Sequence, residues 1–259
     1  MDAAPPLPDW RDADGYGALR RAEPAAFAWE WLRRDGRYRA AAGGAPRWRE
    51  SPSPRVEKAD PAAAPWGLHA FEDPGLAACT ARPVWRRERY ARVLVAGAEQ
   101  AGSSQDRFDL ARLARLATLV RAADGEHLLV SDGATSLRLD IVSGSLLDGP
   151  VMLSYRLAGF AALRGPLETL HALLRFRQAG GLAPGQLRDR NRRLILLLRA
   201  TDALRTGATQ REVAAGLLSA EAERARWRAE APSLRLRAQR LVKGARAMAG
   251  GGYRVLLRA

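Results

Sequence analysis

The residues best placed to do chemistry lie near the C-terminal end of the 259-residue sequence, and the chemistry they suggest is contact with phosphate. At 100° per residue from Leu234, the side chains of Ala238, Leu241, Val242, Ala245 and Met248 fall within about 320° to 80°. Arg235, Arg237, Gln239, Arg240, Lys243 and Arg246 fall within about 100° to 300°. One stripe can bury while the other presents five cations and an amide, with no acid between them. An ordinary solvated helix mixes signs, because like charges four apart repel by a few tenths of a kcal/mol. A phosphate backbone relieves that repulsion by counterion release. Arg can also grip guanine O6 and N7, and Gln can pair with adenine. A merely solvated face in an Arg-rich sequence and a contact for an acidic protein are the competing readings.

Just upstream, Thr209-Gln210-Arg211-Glu212 has the form of a capping box that opens a short helix to residue 218, with Val213, Ala214 and Leu217 inward. Ser233 is expected to cap the basic helix. A packing helix over 186–204, a short capped helix and a basic amphipathic helix together have the shape of a helix-turn-helix. Residues 219–232, which include Trp227, stand where that motif has a tight turn. From this pattern Arg235, Gln239, Lys243 and Arg246 are candidates for the groove. Arg237, Arg240 and Arg211 are candidates for phosphate, with Gln210 and Ser233 beside them.

Charge distribution points to the same end of the chain. Residues 187–259 hold 17 basic and 6 acidic side chains, against 25 and 22 in the rest, for a total net charge of +14. Such a balance favours polyanionic partners. Lys58 and Lys243 are the only lysines. Codon bias explains Arg in place of Lys, but it does not explain the excess of base over acid.

Other chemistries find little support. A single cysteine, Cys79, excludes an intrachain disulfide and any multi-thiolate metal site, and is expected to be a buried small hydrophobe. His69, His127 and His171 look too scattered for a zinc cluster, and His171 is expected to pack inward on a helix. Glu126, Asp132, Asp140 and Asp148 read as turn and strand-edge acids. A phosphate loop, a GxGxxG and a nucleophile elbow are all missing, so neither catalysis nor a cofactor is expected. No apolar run nears the roughly 20 residues of a membrane span. The acidic start, MDAAPPLPDW, is no secretory signal, so a cytoplasmic location is expected.

The elements that must carry these residues suggest an α+β chain. Residues 1–42 read as a small helical unit dense in aromatics: Trp10, Tyr16, Phe27, Trp29, Trp31 and Tyr38. It forms either a mini-core or a surface that docks a partner. A short helix is expected around 16–21. A second starts at Pro24, with Phe27 and Trp31 on one face, and ends at Asp35-Gly36. Residues 43–65, rich in Pro, Gly, Ser and Ala, read as a flexible linker. Residues 66–181 read as mixed α/β, with strands at 92–96, 126–131, 137–142 (half-buried) and 151–155, a turn at Asp132-Gly133, and a helix over 166–178. Residues 108–122 fit a helix or a strand pair. Residues 182–259 form the terminal helical module, with a short apolar coda at 253–257.

The phrases TQREVAAGLL and SLRLRAQRLVKGARAMAGGGYRVLL, with a Trp between them, resemble the DNA-binding domain of proteobacterial RovC-like transcriptional regulators. DWRDADGYGALRRAEPAAFAWEWLRRDGRYRAA resembles the small regulator domain that often precedes it. WGLHAFEDPGLAACTARPVW resembles the connecting segment of such chains. The resemblance covers both ends and part of the middle. It implies transcriptional control, sometimes of secretion or of integrative elements, with the family's basic helix on 233–248 and its partner helix on 209–218. Some relatives act through protein contacts as activators or antiactivators, and self-association occurs. The expected partner is double-stranded DNA, with RNA polymerase or another regulator and a homo-oligomer as further candidates. The runner-up is an adaptor or antiactivator that binds a protein rather than DNA. RNA is a weaker candidate, because only Trp227 and Tyr253 stand near the basic face for base stacking.

Overall fold

The computed structural model describes residues 7–44, 53–101, 106–113, 115–183, 185–223 and 232–258. The chain is α+β, with a mixed sheet in the middle of the sequence and helices at both ends. Among the described residues seven strands form one sheet in the order β1-β4-β5-β6-β2-β7-β3. The strands are β1 Arg55–Lys58, β2 Leu94–Gln100, β3 Arg107–Phe108, β4 Ala117–Ala122, β5 Gly125–Ser131, β6 Ser136–Ile141 and β7 Val151–Arg156. β1 runs parallel to β4 and β2 parallel to β6, while the other neighbours are antiparallel. Residues 108–122 resolve into the end of β3, a 3-10 turn Leu110–Leu113 and β4.

Both faces of the central strands are covered, so β6 is buried from Leu137 to Ile141 rather than half-buried as its alternation suggested. Leu137, Leu139 and Ile141 face a cluster that includes Leu173 of helix α3, Arg164–Ala179. The intervening Arg138 and Asp140 lie beneath residues 66–90. There the Arg138 guanidinium donates to the carbonyls of Leu128 (2.6 Å) and Trp85 (2.7 Å). A polar residue on a covered face is tolerable only with such partners.

Within the segment expected as a flexible linker, residues 53–65 are ordered. β1 pairs with β4 from Arg55 to Lys58, and a 3-10 turn Pro61–Trp66 follows with Ala63 fully buried. Its composition misled because Pro61 sits where no amide donor is needed, opening the turn behind the Asp60 cap. Arg55 anchors the strand through the Glu57 and Glu72 carboxylates at 3.0 and 2.9 Å.

The N-terminal segment is not a self-contained unit either. A 3-10 turn Asp14–Arg21 leads to α1, Pro24–Leu32. Asp35, instead of ending the helical region, caps a further helix α2, Gly36–Ala41, by accepting from Arg37 N at 2.8 Å. α1 is buried nearly all round: Phe27, Trp29, Trp31 and Leu32 are all within 2% of full burial. A helix apolar on every side must be enclosed. What encloses it is the other end of the chain. Leu194 and Leu198 of α4, Asp189–Arg205, belong to the same core, as do Tyr253, Leu256 and Leu257 of the terminal 3-10 turn Gly252–Leu257.

Candidate nucleic-acid interface

Three helices build the terminal module: α4, α5 (Gln210–Leu217) and α6 (Pro232–Ala249). Each packs on the other two. α4 ends at Thr206, where Gly207 takes φ +84° and turns the chain within three residues into α5. Thr209 caps α5. Its hydroxyl accepts from Glu212 N at 3.3 Å, and the Glu212 carboxylate accepts from Thr209 N at 2.7 Å. This completes the expected capping box. α6 begins at Pro232, a residue suited to a first helical position, so Ser233 lies inside the first turn and is not the cap. Trp227 lies outside the described residues.

The apolar stripe of α6 is buried as its periodicity requires. Leu241, Val242 and Ala245 join Ala200 and Ala203 of α4 and Val213 of α5. Leu234 and Ala238 pack with Ala214. Trp10 completes this core from the far end of the sequence. A Cβ at Gly216 would stand 2.6 Å from the Trp10 ring, so the glycine is what admits the indole onto α5. Arg199 fastens the same segment, donating Nε to the Trp10 carbonyl and Nη2 to the Arg11 carbonyl, each at 2.7 Å.

Opposite that stripe, Arg235, Arg237, Gln239, Arg240, Lys243 and Arg246 are all exposed. Among the described residues their side chains make no hydrogen bond or ion pair. Leu236, 46% exposed, stands among them and could meet a sugar or a thymine methyl. Ser233 is exposed at the same end, and Gln210 is half-buried at the start of α5. Arg211 does other work: its Nε donates to the Ala222 carbonyl at 3.0 Å and its Nη2 to that of Glu223. It ties α5 to the 3-10 turn Ala220–Glu223, and so stands apart from the free cations of α6.

A buried ionic network joins this module to α1. Asp202 of α4 accepts from Arg34 Nε (2.7 Å) and Nη2 (2.8 Å) and from the Tyr16 hydroxyl (2.7 Å). Arg34 also pairs with Glu30, which takes a further hydrogen bond from Arg33 at 2.8 Å and from Ala78 N at 2.7 Å. Burial alone pushes the Glu30 carboxyl up, yet Arg34, Arg33 and the Ala78 amide outweigh it and hold it below the usual carboxylate range. Arg34 is likewise held more basic than usual despite its burial. Nothing in the sequence pattern announced this network, because its members lie up to 186 residues apart.

Several single residues depart from expectation. Cys79 is exposed, because Ala78 and Ala81 take the inward positions of its turn. His171 faces solvent, because the inward stripe of α3 runs through Thr169 and Leu173. Asp132 is a turn acid as expected, accepting from Ala134 N and Thr135 N at 2.8 Å. Asp140 instead is buried in a central strand, and Glu126 is buried holding Ser145 and Leu146 N.

His69 and His127, remote in sequence, stack with ring centroids 3.5 Å apart and planes 20° from parallel. With Asp140 they are the one group among the described residues whose donors approach metal-ligand spacing. The geometry does not suit an ion. Lone pairs of near-parallel rings cannot converge on one point, and both His127 nitrogens already meet carboxylates, Asp140 at 2.8 Å and Asp124 at 3.2 Å. Arg138, 3.4 Å from Asp140, adds a fixed positive charge. Burial and then the electrostatic influence of the neighbouring His127 and Arg138 depress His69 to about 3, so it is a neutral ring.

Comparison with known proteins gives two matches. Residues 160–258, which span α3 to the final 3-10 turn, match the family model described as "T6SS, Transcription factor, DNA binding domain" of RovC type. Residues 9–69 match the model of the proteobacterial transcriptional regulator-like domain. No curated protein and no solved structure matches the chain. No helix among the described residues is long and apolar enough to cross a membrane. The chain thus joins an N-terminal proteobacterial transcriptional regulator-like domain to a C-terminal RovC-type transcription-factor DNA-binding domain, and belongs with the transcriptional regulators built that way.

Proposed function

We propose that this regulator, acting without catalysis, binds duplex DNA through the exposed face of α6. Arg235, Gln239, Lys243 and Arg246 would reach base edges, and Arg237 and Arg240 would contact phosphates. α4, α5 and α6 then act as a helix-turn-helix-like unit in which residues 218–231 replace the tight turn. The observation that carries this reading is a one-sign face of five cations, unpaired among the described residues, on a packed helix within the matched domain. Side chains already paired within the protein would have to break those pairs first, and these do not.

The test is a salt titration of binding by the full chain, wild type against the variant with Arg235, Arg237, Arg240, Lys243 and Arg246 changed to alanine. Fragments from its own genomic neighbourhood are compared with random duplex. Each phosphate contact should add about −0.9 to the slope of log K against log salt. Preferential, salt-dependent binding that the variant loses supports the reading, and a wild type that binds no duplex at low salt refutes it.

A protein contact in addition to DNA is favoured by a separate observation. Tyr155 near the end of β7, and Leu157 and Phe160 just after it, are exposed, Phe160 to 96%. Apolar side chains grouped on a surface mark interaction sites. RNA polymerase, another regulator or a second copy of this chain would fit, and loss of an assembly on Phe160→Ser would identify it.

A further inference from the structure

A cleft between α3 and the start of α4 has no role in that reading. One wall is a stripe of α3, where Arg164, Glu168, His171 and Arg175 follow at spacings of three or four and so share a face. The opposing wall is the start of α4, with Arg188 just before it and Arg190 in its first turn. Arg92 lies between them, its side chain 16% exposed. The cleft measures about 360 Å³, within the range of roughly 300–1,000 Å³ of small-molecule sites.

The walls are held in place by close packing. A Cβ at Gly165 would lie 2.1 Å from the Ala91 carbonyl, so the first turn of α3 presses directly on the backbone beside Arg92. Thr169 donates to the Arg92 carbonyl at 3.0 Å. Arg92 is fixed in turn by Glu23 at 3.2 Å. Its Nε is buried, 3.4 Å from Glu168 but without hydrogen-bond geometry. Glu168 is shared with Arg164 at 3.0 Å. The side chains of His171, Arg175, Arg188 and Arg190 make no hydrogen bond or ion pair among the described residues. Five arginines therefore face one lining carboxylate, with only Glu23 behind Arg92 to add to it.

We propose that this cleft is a binding site for a compact oligophosphate, such as the phosphate chain of a nucleoside triphosphate. Guanidinium groups pair with phosphate oxygens bidentately, and cations on two facing walls suit several linked phosphates better than one. A concave site of this size encloses a small anion, whereas a duplex backbone is met by a convex surface such as α6. Apart from the His171 imidazole the lining offers no aromatic ring for a base, so selection is chiefly by charge and the nucleoside contributes little. Inorganic tripolyphosphate should then bind about as well as ATP.

Isothermal titration of the full chain with tripolyphosphate and with ATP, at fixed ionic strength, tests this. The expected result is saturable one-to-one binding, weakened at least tenfold by Arg175→Ala/Arg188→Ala/Arg190→Ala and unchanged by the five α6 substitutions. Glu168→Gln should tighten binding severalfold, a gain that misfolding cannot produce. Absence of saturable binding by the wild type would overturn the proposal, as would equal binding by the cleft variant. A cleft variant that loses duplex affinity while no form binds tripolyphosphate would also overturn it, and would assign the cleft to the DNA backbone.

Discussion

Replacing Asp202 with asparagine removes one negative charge from a site where Asp202 and Glu30 balance Arg33 and Arg34, all four side chains being within 5% of full burial. Asparagine keeps the shape but offers one acceptor where three donors converge: Arg34 Nε, Arg34 Nη2 and the Tyr16 hydroxyl. Arg34 would keep Glu30 alone, which Arg33 already shares. Breaking a buried pair from one side costs about 3–5 kcal/mol, because the partner remains buried and uncompensated. In a chain of this length that lowers Tm by on the order of 10 °C. Urea unfolding followed by circular dichroism measures the loss. The paired change Arg34→Met/Asp202→Leu provides the control, since exchanging both charges for apolar groups should recover most of the stability. A loss below about 1 kcal/mol in the asparagine variant, or a double variant no better than the single ones, would refute the view that this pair holds the two ends of the chain together.

Further predictions follow from the same geometry. Glu30, ionised more readily in the folded state than unfolded, contributes stability that is complete above its unfolded value of 4.5 and is lost as acid takes the pH below that value through the lower folded one. Urea midpoints measured down the pH scale should fall there, and less so in Glu30→Gln, which starts from a lower stability. Gly216→Ala places a methyl against the Trp10 ring and should cost about 1–3 kcal/mol, with a shift in tryptophan emission as the indole is displaced. Arg211→Met should lower stability by about 1–2 kcal/mol through two lost hydrogen bonds to carbonyls. It should leave the salt slope of DNA binding unchanged, whereas Arg240→Ala should reduce that slope by about 0.9 with little effect on melting.

Local patterns in the sequence were sufficient for what local patterns can encode. The α6 stripe, the Thr209–Glu212 capping box, and strands β5, β6 and β7 all rest on contacts within a few residues or on a strict period, and they are found where expected. Misreadings arose where burial is decided at long range. Arg55–Lys58 looked like linker because edge pairing with β4 leaves no mark on a four-residue strand, and Val56 stays 46% exposed. Arg138 and Asp140 looked like the wet face of a strand because the loop covering them lies some 50 residues upstream. The aromatic density of residues 10–38 signalled burial correctly, but no periodicity could say that α4 and the final turn would bury it. The acids Glu30 and Asp202, and the paired histidines 69 and 127, became visible only once the fold had brought them together.

The bridging of Trp10, Tyr16 and Arg34 to α4, α5 and α6 also governs when the molecule can form. Synthesis proceeds from the N-terminus, so α1 emerges with its apolar surface uncovered while more than 150 residues remain to be made. Contacts so distant in sequence carry a large loop-closure cost before they stabilise anything, which slows folding. Until α4 and the turn with Leu256 and Leu257 leave the ribosome, part of the apolar surface of α1 is open to aggregation and to chaperones. The amount of active regulator in a cell is therefore sensitive to early termination. A chain that stops short of residue 257 loses the lid of its first core along with its last turn.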